Sequence, residues 1–467
     1  MTALLPEESI TEKMIRRGID RDTIEKFLRM ARRVTHEQSG YVPLNSVSVP
    51  DSNMLLDTRR DSREFNELDQ RGVALLPHAV VIKLNGGRST TMGGEVPKGV
   101  LIAKNGRSYL DIIAGQVKAM REKWQVDVPL LLMNSFFTHE PTLEVIADFP
   151  IPVRTFLQSE APRLVEGTLE PLHTGTDEDW CPPGHGDVYE SLRRCGLLDE
   201  LLAEGRKWAF ISNLDNLAAG LDPWILGLIK RERIEFLIEV TDRTEQDRKG
   251  GTLVVKDRCL DLLEIAQVAP EEQDLFMDIT QFPVFNTNNV WVDLRALRDA
   301  LERGGLNLPL IQNRKTVSGN QVIQLETAMG AAVGSFARSR GLRVGRERFF
   351  PTKKVEDLFV LQSDACMLDP MDRLMSNPKR PPTLPVRPRV VFGADFLDSP
   401  LKMNARFEDA STVSLVRAAS FEVHGPVFFE RDVTIEGDVQ VRVPTDKPVR
   451  IARGSLLRDG THPSNSD

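Results

Sequence analysis

The segment AVVIKLNGGRSTTMGGEVPKG, residues 79–99, is the most informative for the fold, because a β-rich run leads directly into a glycine-rich loop. Four glycines stand in this loop: Gly86, Gly87, Gly93 and Gly94. They would let the backbone approach a ligand closely, so that successive amide hydrogens surround phosphate oxygens beside the positive charge of Lys98. The spacing fits neither GxxxxGK[ST] nor GxGxxG, which excludes both of those nucleotide motifs. A glycine-rich turn without a ligand is the alternative.

Short β-rich runs continue to alternate with helical segments downstream. The predicted strands are Ala79–Leu84, Leu130–Met133, Trp208–Ser212, Ile234–Val240 and two runs that flank Lys256-Asp257-Arg258. This alternation predicts βαβ units, and hence an α/β fold with a largely parallel sheet and helices on both faces. Ligands of such sheets bind beyond the carboxyl ends of the strands, so the loops there are the places to look for chemistry.

The sequence has a different character on either side of this region. Residues 7–34 are predicted as one amphipathic helix, in which Asp22 and Glu25 have the spacing of a capping box. Five prolines between Pro378 and Pro388 mark a stiff boundary without helix. Beyond it, closely spaced runs predict a small parallel β-helix: Thr412–Val416, Phe421–Val423, Val427–Phe429, Val433–Ile435 and Val439–Val443. We therefore expect an N-terminal helical segment over 1–75, an α/β domain over 76–388, a β-helix domain over 389–458 and a flexible tail over 459–467.

Composition excludes several classes of protein. The 467-residue chain has a formal net charge of −8, so no global positive field would hold nucleic acid or an anionic membrane. Its apolar runs are far shorter than the ~20 residues of a membrane-spanning helix, and residues 1–10 lack the features of a signal peptide. These observations predict a cytoplasmic protein. The four cysteines form no CxxC pair, which indicates neither a disulfide framework nor a structural zinc site.

Two further segments carry side chains suited to phosphate chemistry. In WCPPGHGDVYESL, residues 180–192, two prolines would stiffen a turn into Gly184-His185-Gly186, and Asp187 would cap the helix that follows. The alternative is a capped helix start in which His185 only packs. In FISNLDNL, residues 210–217, Asp215 follows a predicted strand, where a carboxylate can hold a magnesium ion that bridges phosphates. An ordinary Asn-Asp-Asn turn is the alternative there.

Taken together, these segments resemble the eukaryotic-type UTP–glucose-1-phosphate uridylyltransferases, whose hallmark is a strand, an LNGG-type loop and a downstream PKS or PKG lysine. The other matching segments are LLLMNSFFTHEPT (130–142), FLQSEAPRL (156–164), PPGHGD (182–187), SNLDNL (212–217), KGGTL (249–253), LLEIAQV (262–268), FNTNNVW (285–291), VIQLETAMGAA (322–332) and RFFPTKKVEDL (348–358). They run in the family order over residues 79–390.

The resemblance implies a Rossmann-like, GT-A-like nucleotidyltransferase domain and a C-terminal left-handed β-helix, through which relatives make subunit contacts. The implied reaction joins UTP and glucose 1-phosphate to give UDP-glucose and pyrophosphate, with magnesium as the cofactor. A sugar phosphate has a second pKa near ~6, so the nucleophile is already an anion and needs no strong base. Catalysis would then consist mainly of alignment and charge neutralisation.

The resemblance also implies roles for individual residues. The nucleotide would be held by Leu84, Asn85, Gly86, Gly87, Gln158, Gly184, His185 and Asn213, with Gln158 and Gly184 at the uracil and His185 at a phosphate. The catalytic residues would be Lys98, Lys353 and Asp215, of which Asp215 would bind the magnesium. The sugar would be held by Gly251, Glu264 and Asn289. For each lysine, the alternative is a solvated surface charge.

One departure from the family pattern lies in the glycine loop, where a hydrophobic residue and a glycine are replaced by Arg88-Ser89. If that position needs a positive φ, Ser89 adds about 1 kcal/mol of strain, while Arg88 brings a guanidinium near the triphosphate. Two other functions compete with the glucose enzyme: a pyrophosphorylase for N-acetylhexosamine 1-phosphate, and a non-catalytic UDP-sugar-binding scaffold. The FNTNN and KGGT segments favour glucose, and the presence of Lys98 and Asp215 argues against the scaffold.

Overall fold

The computed structural model describes residues 5–36, 41–57, 62–87, 92, 96–393, 399–444 and 447–462. Its helices are α1 Glu7–Arg16, α2 Arg21–His36, α3 Ser62–Val73, α4 Tyr109–Trp124, α5 His139–Ile146, α6 Val188–Arg194, α7 Leu197–Ala203, α8 Pro223–Glu232, α9 Gln273–Phe276, α10 Leu294–Glu302, α11 Val355–Gln362 and α12 Pro400–Arg406. The first half of the strands are β1 Leu55–Asp57, β2 Ala79–Asn85, β3 Ile102–Lys104, β4 Arg107–Ser108, β5 Leu130–Asn134, β6 Val153–Leu157, β7 Ala161–Pro162, β8 Leu164–Val165, β9 Trp180–Cys181, β10 Trp208–Asn213, β11 Phe236–Asp242, β12 Thr252–Lys256 and β13 Cys259–Leu263. The others are β14 Val284–Asp293, β15 Ile311–Val317, β16 Asn320–Glu326, β17 Ser339–Arg343, β18 Cys366–Leu368, β19 Leu374–Ser376, β20 Arg389–Phe392, β21 Ser414–His424, β22 Val427–Phe429, β23 Thr434–Arg442, β24 Val449–Ile451, β25 Leu456–Leu457 and β26 Gly460–His462.

The central sheet has eight strands in the order β1-β17-β11-β14-β10-β2-β5-β6. All neighbours pair in parallel except β14, which is antiparallel to both β10 and β11. Along β2, Val81 packs in one core with residues of α4 and α8, while Val80 and Ile82 pack in another core with residues of α6, α7 and α10. Because successive strand residues face opposite sides, helices cover both faces of the sheet. The prediction of a largely parallel α/β sheet is confirmed, with one antiparallel strand. The two predicted strands that flank Lys256-Asp257-Arg258 lie outside it, because β12 and β13 form a separate antiparallel pair.

The N-terminal helical region is interrupted, so the prediction of one helix over 7–34 is wrong. Gly18 has φ of +82°, a left-handed conformation that ends α1 before α2 begins. The carboxylate of Asp20, not that of Asp22, accepts the backbone N–H of Thr23 at 2.9 Å. Both helices pack through Ile10 and Phe27 into a small core that includes Trp180. The strand β1, also within residues 1–75, pairs with β17 at the edge of the central sheet.

The chain beyond the prolines is built from parallel strands, and the proline-rich stretch itself contains no helix, as predicted. The strands β20, β21, β23 and β25 pair in parallel order, and β22 pairs in parallel with β24. The runs predicted as separate strands around Val416 and Phe421 belong to the single strand β21, whose pairing with β23 shifts register within it. Its Phe421 shares a core with Phe359 of α11, so these strands are packed against the rest of the protein.

None of the described helices combines the length and the apolar character that crossing a bilayer needs. The four cysteines are free thiols, of which Cys181 and Cys366 are buried.

Candidate active site

A cavity of about 360 Å³ lies at the carboxyl ends of β2, β5 and β10. Its lining includes every residue predicted to hold a nucleotide: Leu84, Asn85, Gly86, Gly87, Gln158, Gly184, His185 and Asn213. Lys98 and Asp215 line the same cavity. The parallel pairing explains this convergence, because Leu84 of β2 is in register with Met133 of β5 and Asn213 of β10.

The glycine loop passes against Gln158 at the floor of the cavity. A Cβ atom placed on Gly86 would lie 2.3 Å from Nε2 of Gln158, so a larger residue would force the glutamine amide to move. Gln158 is itself held at the end of β6, since its backbone N–H donates to the carbonyl of Asn134 at 2.9 Å. The loop and the glutamine therefore form one packed unit.

Buried side chains from the segment after β5 hold the glycine loop in place. The amide of Asn85 donates to Asn134 Oδ1 and Thr142 Oγ1, each at 2.8 Å, and these two bonds use both of its hydrogens. Thr138 Oγ1 donates to the carbonyl of Asn85 at 2.6 Å, and Ser135 Oγ donates to the carbonyl of Gly86 at 3.0 Å. Asn85 thus supports the loop from within the protein. The supporting residues themselves were not predicted; the only signal was their place in the matching segment LLLMNSFFTHEPT.

The loop at His185 is fixed against Thr327. Gly184 has φ of +81°, and a Cβ there would lie 2.5 Å from the carbonyl oxygen of Thr327. His185 Nδ1 accepts the backbone N–H of Met329 at 2.9 Å, and burial lowers the pKa of His185 to about 4. The imidazole is therefore neutral near pH 7, and its remaining hydrogen is on Nε2. It can donate one hydrogen bond to a ligand but brings no positive charge.

The carboxylate of Asp187 links the loop that carries Gln158 to the loop that carries His185. Asp187 precedes α6, as predicted, but its carboxylate does not cap that helix. Oδ2 accepts the N–H of Ser159 and the hydroxyl of Ser191, both at 2.7 Å, and Oδ1 pairs with Nζ of Lys26 in α2 at 2.9 Å. Burial by itself would raise the pKa of Asp187, but Lys26 and the hydrogen-bond donors hold it below its ordinary value. Lys26 was not predicted, because nothing local links residues so distant in sequence.

Lys98 and Asp215 form an ion pair at the edge of the cavity. Nζ of Lys98 lies 2.9 Å from Oδ2 of Asp215 and donates to the carbonyl oxygen of Thr352 at 2.8 Å. Within the described ranges, no group of three or more His, Cys, Asp or Glu side chains is arranged to hold a metal ion. Magnesium commonly binds one or two carboxylates together with substrate phosphates, so the single carboxylate of Asp215 fits such a site.

Two of the three residues predicted to hold the sugar lie side by side. A Cβ on Gly251 would lie 2.3 Å from Oε1 of Glu264, and burial raises the pKa of Glu264 to about 7. Asn289 is placed differently: it is fully buried, and its amide donates to Glu239 Oε2 at 3.3 Å. Glu239 also accepts from Arg348, which makes Asn289 part of an internal charged network. None of the three predicted sugar residues, Gly251, Glu264 and Asn289, lines this cavity or the one beside Lys353.

Lys353 does not line the cavity that contains Lys98 and Asp215. It lines a second, larger cavity of about 550 Å³, where its Nζ lies 5.9 Å from the centre of the Phe285 ring. The preceding residue, Thr352, accepts the hydrogen bond from Lys98. The backbone at Thr352 thus separates Lys98 from Lys353. Seven residues of the predicted glycine loop, 88–91 and 93–95, lie outside the described residues, and they include Arg88, Ser89, Gly93 and Gly94.

An α/β sheet with glycine loops, a lysine and a carboxylate at its strand ends is typical of proteins that bind phosphorylated ligands. The family model for UTP–glucose-1-phosphate uridylyltransferase matches residues 24–436. The Solanum tuberosum protein of that name is 42% identical over 92% of this chain and 90% of its own length. The Musa acuminata protein of that name is 38% identical over 93% and 92%.

Solved structures agree with the sequence comparisons. A UDP-glucose phosphorylase from Trypanosoma brucei superposes with a TM-score of 0.86, at 34% identity, over 97% of this chain and 98% of its own. A variant of UDP-glucose pyrophosphorylase from Leishmania major, solved in complex with UDP-glucose, has a TM-score of 0.86 at 31% identity over 98% and 99%. The chain belongs to the UTP–glucose-1-phosphate uridylyltransferase family.

Proposed function

We propose that this chain transfers a uridylyl group from UTP to glucose 1-phosphate and releases UDP-glucose and pyrophosphate. The observation that carries the proposal is the single cavity in which the eight candidate nucleotide residues meet Lys98 and Asp215. The relatives named for this reaction match nearly the whole chain, and neither an N-acetylhexosamine enzyme nor a non-catalytic scaffold is favoured.

The nucleotide would lie with its uracil against Gln158 and the Gly184 loop and its phosphates along Gly86 and Gly87. Gln158 offers an amide donor and acceptor to the edge of the base, and the glycine loop offers backbone N–H groups to the phosphates. Neutral His185 would donate its Nε2 hydrogen to a phosphate oxygen. Asn85 would act indirectly, because its amide is already bonded within the protein.

The transfer itself requires alignment rather than a base. A phosphate oxygen of glucose 1-phosphate attacks the α-phosphorus of UTP, the bond from that phosphorus to the bridging oxygen breaks, and pyrophosphate leaves with the electron pair. Lys98 would neutralise charge as it shifts onto the leaving group. To do so, its ammonium group must exchange the carboxylate of Asp215 for phosphate oxygens.

We propose magnesium as the metal, held by Asp215 with Asn213 beside it. When bound, the ion would supply positive charge to the triphosphate. With Asp215 engaged in this way, the ammonium group of Lys98 is available to the nucleotide. Gly251 and Glu264 would accept hydrogen bonds from the hydroxyl groups of the sugar. Asn289 would support the sugar pocket from within the protein, or contact a hydroxyl group after rearrangement. Lys353 would pair with a phosphate group from the neighbouring cavity.

The finer architecture belongs to the same proposal. We assign residues 1–75 to an N-terminal segment, 76–388 to a GT-A-like catalytic domain and 389–458 to a left-handed β-helix. The segment 459–467, predicted as a flexible tail, contributes strand β26, Gly460–His462, which pairs in parallel with β23. The parallel pairing of β20, β21, β23 and β25 supports the β-helix. Association of copies through that domain stays a prediction, as does the cytoplasmic location.

The experiment that tests the function is pyrophosphate release from UTP with a panel of sugar 1-phosphates, with and without magnesium. We expect release with glucose 1-phosphate and magnesium. A preference for N-acetylglucosamine 1-phosphate, or UTP binding without any release, would contradict the proposal.

A further inference from the structure

The cavity beside Lys353 has a strongly cationic lining. Its charged side chains include six cations, Lys249, Arg346, Lys353, Lys354, Arg387 and Arg389, and three carboxylates, Asp247, Glu356 and Asp357. The whole chain carries a net charge of −8, so this excess is local. Clustered positive charge around a concave surface favours binding of a polyanion.

Most of the cavity's carboxylate groups are already engaged. Asp247 pairs with Arg346 at 2.5 Å and accepts the hydroxyl of Thr244 at 2.6 Å. Asp357 accepts the backbone N–H groups of Lys353 and Lys354, at 2.8 and 2.9 Å. Within the part of the chain that the structure describes, Lys249, Lys354, Arg387 and Arg389 form no ion pair with a carboxylate. No carboxylate therefore blocks these four cations by direct contact.

The guanidinium group of Arg387 is fixed in a position where it can bind such a ligand. Its guanidinium carbon lies 3.8 Å from the centre of the Phe350 ring, and Nη2 donates to the carbonyl of Phe349 at 2.7 Å. Burial lowers the pKa of Arg387, and the charges of Asp357 and Asp247 oppose this effect only in part. A planar guanidinium fixed by stacking and by one hydrogen bond keeps further donors for the oxygens of a phosphate group.

We propose that this cavity is a second phosphate site, which takes pyrophosphate; the assignment of pyrophosphate rests on the proposed function. The leaving group of that reaction forms beside Lys98, which donates to the carbonyl of Thr352. The next two residues, Lys353 and Lys354, line the second cavity. The second cavity is thus lined by the residues that directly follow the one bonded to Lys98, and pyrophosphate would be held there by Lys354 and Arg387.

The test is calorimetric titration of pyrophosphate into the full chain saturated with UTP, without sugar phosphate. UTP then occupies the first cavity, and no turnover takes place. We expect one pyrophosphate per chain, bound about tenfold more weakly after Lys354→Gln or Arg387→Gln, which corresponds to about 1.4 kcal/mol. Lys354 is exposed, so its variant tests the site without disturbing the core. The matched control is Arg417→Gln, an exposed arginine of β21 outside both cavities, which should bind as the wild type does.

No binding to the UTP-saturated wild type, equal affinity in all three variants, or equal affinity for inorganic phosphate and pyrophosphate would overturn the inference. Pyrophosphate release from UTP and glucose 1-phosphate is measured on the same preparation. Normal release without second-site binding removes only this inference. Second-site binding without release would remove the proposed function and leave an anion site in place.

Discussion

The ammonium group of Lys98 lies 2.9 Å from the carboxylate of Asp215, so the candidate catalytic cation and the candidate metal ligand neutralise each other. Both side chains are largely shielded, with 18% and 13% of their surfaces exposed, which strengthens the pair relative to one in open solvent. When a triphosphate and a metal cation bind together, the triphosphate would take the place of Asp215 beside Lys98. The cation would take the place of Lys98 beside Asp215. Ligand binding can therefore separate Lys98 from Asp215 without leaving either buried charge unpaired.

Replacing Lys98 tests the role of this cation in turnover. Lys98→Ala should lower kcat about 100-fold or more, because charge that develops on the leaving group loses its nearest compensation. The Kd of UTP should change by less than about tenfold, since the glycine loop still holds the phosphates. Steady-state kinetics and UTP titration measure the two effects. Lys118→Ala, at an exposed position of α4, is the control, and a Lys98→Ala enzyme with normal kcat would remove the assigned role.

Adding one methyl group to the glycine loop tests the contact with Gln158. Gly86→Ala would place Cβ 2.3 Å from Nε2 of Gln158, so the flexible amide must move out of its position. We expect the KM for UTP to rise about tenfold, the equivalent of one or two lost hydrogen bonds, with little loss of stability. Gly220→Ala, where Cβ meets only Arg373 at 3.6 Å, is the matched control. An unchanged KM in Gly86→Ala would show that Gln158 does not contact the nucleotide.

The N-terminal helix α2 should matter for UTP binding although it lies outside the cavity. Lys26→Met leaves the buried carboxylate of Asp187 without its cation, and should lower the free energy of unfolding by about 1–3 kcal/mol. Because Asp187 fastens the loops of Gln158 and His185, the KM for UTP should rise more than kcat falls.

Two further variants distinguish a positioning role of Lys26 from a general loss of stability. Lys26→Arg keeps the charge and should restore the KM. Arg16→Met, on an exposed face of α1, should change neither quantity. Equal losses in Lys26→Met and Lys26→Arg would argue against an electrostatic role.

The low pKa of His185 has a consequence for stability. Its pKa is about 4 in the folded chain against 6.5 as the ordinary value, so the unfolded chain binds more protons between these pH values. Stability is therefore complete above about pH 6.5 and falls as the pH decreases toward 4. His185→Gln should remove about 3 kcal/mol of this pH dependence in urea unfolding curves. Identical curves for both proteins between pH 4 and pH 7 would contradict the neutral, buried imidazole.

The sequence predicted the residues of the cavity well because they follow strands that pair in parallel. Once the ends of β2 and β10 are identified correctly, parallel pairing places Leu84 and Asn213 next to each other. Such reasoning does not predict side-chain contacts between segments that are distant in sequence. The hydrogen bond from Lys26 to Asp187, for example, joins two helical regions that share no sequence pattern. The direction of a buried amide cannot be predicted from sequence either: Asn289, whose role at the sugar stays a prediction, donates its amide to Glu239. The break at Gly18 was overlooked because helical periodicity continues across it.

The position of bound UDP-glucose tests the central claim most directly. A crystal structure of this chain soaked in UDP-glucose should show uracil beside Gln158 and Gly184, and the diphosphate beside Gly86 and Lys98. Nucleotide density in any other part of the molecule, with this cavity empty, would contradict the account.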